Sequence, residues 1–192
     1  MKRMMLALYS AVALTGASAA EVGGVKLEDK LRLTPSGPEL VLNGAGIRTR
    51  VFFKVYVGAL YLPEKKPAAG EVLALAGPKR VAMNMLRDLT AQQLSEALAE
   101  GISNNSSAAE QVSLKPRVDE LVAIMISLGE AKKGDAIALD FVPESGTRVV
   151  VNGQPRGKPI TGEDFYRALL RIWLGDKPVD DDLKKGMLGQ AG

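Results

Sequence analysis

The run from Val51 to Leu62, VFFKVYVGALYL, contains no acid and no proline and is built of β-branched, aromatic and aliphatic residues, so it reads as one long strand. Successive strand side chains point to opposite faces. Arg50, Phe52, Lys54 and Tyr56 therefore share one face, and Val51, Phe53, Val55 and Val57 share the other. The all-apolar face is expected against helices, and the mixed face at solvent or on the wall of a cleft. The chain also has no cysteine and no histidine. Disulfide frameworks, Cys/His zinc sites, cysteine nucleophiles and Ser-His-Asp triads are excluded, and the fold must rest on its core. A length of 192 residues with 46% hydrophobic and 24% charged side chains suits a single globular domain.

The N-terminus is a different kind of sequence. Met1-Lys2-Arg3 is basic, Met5 to Leu14 is almost unbroken apolar residues, and Ala17-Ser18-Ala19 has the small-residue spacing of a cleavage site. Residues 1–19 are expected to be a signal peptide, with residues 20–192 forming the domain of a periplasmic or secreted protein. No stretch approaches the ~18 uninterrupted apolar residues of a membrane span. Without Lys2 and Arg3, the 25 basic residues become 23 against 22 acids, a net charge of +1. A near-neutral chain without a dense basic stripe argues against nucleic acid as a partner.

The following order is strands, helices, strands, helices. Leu40 to Arg48 reads as a strand entering a glycine-eased turn, and Gly70 to Ala76 as a short helix. Lys79 to Leu86 reads as a strand with Val81, Met83 and Met85 on one side. Thr90-x-x-Gln93 is a capping box opening a helix with Leu94, Ala97, Leu98, Gly101 and Ile102 along one stripe. Asn104 to Ser107 is expected to end it. A second helix carries Val118, Leu121, Val122 and Met125, with Pro116 in its first turn and Gly129 as a left-handed cap. Strands return at Ala136 to Val142 and Thr147 to Val151, where Asn152-Gly153 signals a two-residue hairpin into Gln154 to Lys158. Thr161 is expected to cap Gly162 to Leu174. Asp180-Asp181-Asp182 reads as the start of a last helix, with Lys184-Lys185 nearer its end. This order predicts an α+β fold with a large antiparallel sheet and helices packed on one face.

Gly44-Ala-Gly-Ile-Arg48 with Lys54-Val-Tyr56-Val-Gly-Ala-Leu-Tyr61-Leu62, and the late Trp173-Leu-Gly-Asp-Lys-Pro178 with Leu183 to Gly189, resemble the opening strands and closing helices of the chalcone isomerase fold. In these motifs the chain resembles the bacterial secreted chalcone isomerase-like proteins. The resemblance implies an open-faced β-sandwich of chalcone isomerase type with a ligand cleft between sheet and helices.

In plant chalcone isomerases an arginine after the Gly-x-Gly segment polarises the substrate, and Arg48 matches it. The family's strand threonine falls at Tyr56, its helix tyrosine near Leu94, its asparagine near Gly101 and its late hydroxyl near Ile172. Leucine, glycine and isoleucine give no side-chain donor to a ketone oxygen that gains charge during ring closure. Non-catalytic fatty-acid-binding members of the fold pair the arginine with a strand tyrosine, as Arg48 and Tyr56 would here. A guanidinium offers a carboxylate two parallel bonds, and a phenol offers a third. The resemblance thus implies ligand-binding Arg48 and Tyr56, with Leu94, Leu98, Ile172 and Trp173 along the acyl tail and no catalytic residue; a monomer without metal or other cofactor is expected. Two alternatives stand beside this fatty-acid binder. One is an intramolecular lyase acting on an enone through Arg48, and the other is a protein-interaction domain with a vestigial cleft.

Overall fold

The computed structural model describes residues 19–190, so the basic start and apolar run of the expected signal peptide lie outside the described residues. The chain begins with a hairpin, β1 (Ala19–Val22) and β2 (Val25–Glu28), followed by β3 (Lys30–Arg32), β4 (Glu39–Arg50) and β5 (Phe53–Leu62). Next come α1 (Ala69–Ala74), β6 (Lys79–Met85), β7 (Leu89–Thr90), α2 (Ala91–Asn104), α3 (Ala108–Ile126) and β8 (Glu130–Ala131). The chain then runs through β9 (Ala136–Val142), β10 (Gly146–Val151), β11 (Gln154–Ile160), α4 (Glu163–Leu174) and α5 (Asp181–Met187).

Seven strands form one antiparallel sheet in the order β11-β10-β9-β6-β5-β4-β3. The helices supply the main core on one face, against Tyr56, Leu60, Val81, Met83, Met85, Leu139 and Phe141. The other face carries a smaller cluster in which Leu27 of the β1–β2 hairpin joins Leu40, Val57, Ala59 and Tyr61. The architecture is therefore α+β with helices on one face of a large antiparallel sheet, as the element order implied. Among the described residues no helix is long and apolar enough to cross a membrane.

Several local expectations change. Gly44 and Gly46 do not ease a turn; they lie inside β4, outside the left-handed region. Their missing side chains admit α5: a Cβ on Gly46 would sit 3.2 Å from Leu183 Cα, and one on Gly44 would strike the Gly186 carbonyl. The β4–β5 turn falls instead at Val51 and Phe52, with Val51 at φ 58°. Nor does β5 keep its whole apolar face toward the helices: Val55 packs in the helix-side cluster, but Val57 does not. A bulge at Val55, where the pairing steps from Arg48↔Tyr56 to Thr49↔Lys54, breaks the alternation and re-aims the side chains. Tyr56 turns to the helices and Val57 to the opposite cluster.

Thr90 caps α2 through the expected reciprocal box. A second box, Ser107 with Glu110, starts α3 eight residues earlier than the proline suggested, leaving Pro116 inside the helix. Gly162 (φ 101°), not Thr161, is the N-cap of α4. Asn152-Gly153 turns with φ values of 50° and 78°, the doubly left-handed turn a tight hairpin needs.

Three carboxylates at the surface bond more strongly folded than unfolded. The Ser107 backbone N–H and then Arg171 hold Glu110 below the usual carboxylate range; Arg117 does the same for Asp164, and Asn152 with the Lys132 N–H for Asp135. Because these folded values are lowered, their stabilisation is complete above the ordinary carboxylate range and is lost as pH falls through it. Thermal melts should accordingly hold near neutrality and drop in acid, with a shallower drop in Glu110→Gln. A melting temperature flat down through the carboxylate range would contradict this.

Candidate functional site

The bulge in β5 and the glycines of β4 together create the setting for Arg48. It stands opposite Tyr56 in the ladder, on the helix-facing side, at the β4 end left open by the short α5. The N-cap residue of α5, Asp180, accepts the Thr49 N–H with one carboxylate oxygen (2.9 Å) and the Asp182 and Leu183 N–H groups with the other. That pair of contacts fixes the start of α5 beside Arg48.

The Arg48 guanidinium lies 5.6 Å from the Tyr56 ring centroid, where the ring's negative face meets the cation. Its Nε is buried and has no hydrogen-bond partner among the described residues, nor does Arg48 form an ion pair there. A buried donor without an acceptor is costly, and a carboxylate is the group that satisfies it best.

Tyr56 is 2% exposed and Trp173 1%. The Trp173 indole N–H donates to the Tyr56 hydroxyl at 2.9 Å, so α4 is pinned to β5 through one buried polar bond. Burial pushes the Tyr56 phenol above its ordinary value, against the opposing pull of Arg48 and the Trp173 bond. The hydroxyl thus stays protonated at neutral pH and keeps its own proton for donation.

Leu94 and Leu98 of α2 and Ile172 of α4 complete the expected set, and all three are buried. Gly101 lets α2 approach α4, since a Cβ there would come 2.8 Å from Ile172 Cγ2. The structure therefore brings the six expected residues to one region between sheet and helices. They differ in access. Arg48 and Leu94 line an open pocket of about 280 Å³, whereas Tyr56, Leu98, Ile172 and Trp173 are buried in the main core cluster and do not line it.

The pocket adds residues that the sequence reading missed. Arg50, Val51 and Phe53 come from the β4–β5 hairpin, Arg87 and Asp88 from the segment after β6, and Gln93 from α2. The Arg87 guanidinium stacks 4.8 Å from the Phe53 ring centroid. Asp88 is engaged by the Lys133 N–H at 2.7 Å. Three guanidiniums thus surround a pocket with one carboxylate, a balance that favours an anion. No spacing rule links Arg87 to Arg48; only the successive antiparallel β4–β5 and β5–β6 pairings bring the two segments together. The pocket is just under the roughly 300 Å³ at which small-molecule sites begin.

Comparison with known proteins gives two matches of interest. The model of the chalcone isomerase-like family matches residues 19–189. Among solved structures, a fatty-acid binding protein of Arabidopsis thaliana superposes with a TM-score of 0.64 at 14% identity, covering 86% of this chain and 92% of that one. At that identity the likeness is one of fold. No curated protein sequence matches the chain.

Proposed function

The chain belongs to the chalcone isomerase-like family, and we propose that it is a non-catalytic member that binds a lipophilic carboxylate, a fatty acid, between sheet and helices. The observation that carries this reading is the half-buried Arg48, whose Nε lacks an acceptor while its guanidinium lines a cation-rich pocket. The carboxylate takes the guanidinium's parallel donors, with the protonated Tyr56 beside it as a further donor. The tail runs inward past Leu94 and Leu98 toward Ile172 and Trp173, and the Tyr56–Trp173 contact yields to admit it. The likeness in fold to a fatty-acid binding protein supports the same ligand class. So does the lack of a side-chain donor at Leu94, Gly101 and Ile172, the positions that the resemblance matches to the isomerases' polar helix residues. In this reading the protein is exported by its N-terminal segment and meets its ligand outside the cytoplasm.

Titration of the protein with palmitate, followed by calorimetry or displacement of a fluorescent fatty acid, tests the site. Arg48→Ala should weaken binding by ~1.5–3 kcal/mol, the range for a hydrogen bond to a charged group. Unchanged affinity in that variant would remove Arg48 from the site.

A further inference from the structure

The tip of the β4–β5 hairpin is built against the usual economy of a soluble surface. Val51, Phe52 and Phe53 are consecutive and 77%, 90% and 59% exposed. Three adjacent exposed apolar residues are an error in a surface unless they have a use. Val51, moreover, is a β-branched residue at φ 58°, a conformation such side chains avoid and one that persists at sites where strain serves function. The neighbours are basic. Arg50 and Lys54 flank the tip in sequence, and Arg87 stacks on Phe53. Two acids lie near, and each accepts from the backbone: Asp88 from the Lys133 N–H and Asp180 from the Thr49 N–H.

We propose that this hairpin tip docks on an anionic lipid bilayer, inserting Phe52 at the headgroup level while Arg50, Lys54 and Arg87 meet the lipid phosphates. The shape selects the partner. The patch is convex and three residues wide, far from the ~800 Å² per side that a stable protein interface buries. A soft interface needs only a few inserted aromatic residues and basic residues beside them. Val51 and Phe53 also line the Arg48 pocket, so docking brings that pocket to the bilayer. Direct passage of a fatty acid from membrane to cleft follows only if the fatty-acid reading holds; the docking itself does not depend on it.

The test is flotation of the protein with vesicles of equimolar phosphatidylglycerol and phosphatidylcholine, and with phosphatidylcholine alone. The protein should float with the anionic vesicles and partition several-fold less to the neutral ones. Phe52→Asp should lower anionic partitioning at least about tenfold, and Lys54→Glu about fivefold. Phe52 is nearly free of the fold, so melting of Phe52→Asp should match the parent. Val112→Asp, on the exposed side of α3 away from the tip, should bind as the parent does. Failure to float, flotation insensitive to Phe52→Asp, or equal loss in Val112→Asp would each overturn the proposal. A concentration-dependent dimer abolished by Phe52→Asp, without flotation, would overturn it in favour of a second copy as the partner. Palmitate affinity measured without vesicles reports on the cleft separately, so the two readings can fail independently.

Discussion

Trp173→Ala should lower unfolding stability by about 3–5 kcal/mol, the range for truncating a buried large aromatic side chain. Trp173 is among the largest fully buried side chains of the fold, set on α4 between β5 and the end of the chain. Truncation removes its packing against the main cluster and the indole N–H donated to the buried Tyr56 hydroxyl. Trp173→Phe keeps most of the volume and loses the indole N–H, so it should cost nearer 1–3 kcal/mol, the penalty of one unsatisfied buried group. Urea denaturation of both variants separates the contributions. Equal loss in the two would mean that the hydrogen bond, not the packed volume, dominates.

Arg80→Ala should destabilise the protein by a similar ~3–5 kcal/mol, for a different reason. Arg80 and Asp140 face each other across the β6–β9 ladder on the side of the sheet away from the helices. The guanidinium grips the carboxylate with two parallel bonds of 2.6 and 2.7 Å. The Asp140 side chain is 2% exposed and that of Arg80 22%. Removing the arginine leaves the deeper charge buried without its partner, the costly way to break such a pair. Asp140→Ala leaves behind an arginine that can turn to water and should cost less. The order of the two variants in urea is therefore diagnostic, and a larger loss in Asp140→Ala would contradict the assignment of the cost to the buried carboxylate.

What could be read from the sequence was whatever is local. Thr90 with Gln93, Asn152-Gly153 and Asp180 each carry their structure within a few residues, and each holds. The side of β6 bearing Val81, Met83 and Met85 is likewise a period-two pattern that one strand displays by itself. Misread features depend on a distant partner or on competing local signals. Gly44 and Gly46 look like turn residues, because nothing in their neighbourhood announces that α5, some 140 positions later, will press on them. Ser107-x-x-Glu110 carries a capping signal, but the run of Asn and Ser before it and Pro116 after it favour a loop. The bulge at Val55 leaves no mark in composition, yet it decides that Tyr56 rather than Val57 faces the helices. The site divides along the same line. Arg48 and Tyr56, opposite each other in the ladder, were legible as a pair through the family resemblance, whereas Arg87 and Phe53 join them only through the assembled sheet and the loop after β6.

The most direct test of the central claim is a crystal structure of the protein with palmitate bound. The account predicts the carboxylate within hydrogen-bond distance of the Arg48 guanidinium, with the tail directed past Leu94 toward Trp173 and the Tyr56–Trp173 contact opened. A carboxylate held elsewhere, for example in the groove between α2 and α3 lined by Ile102, Val112 and Val118, with Arg48 left without an acceptor, would contradict it.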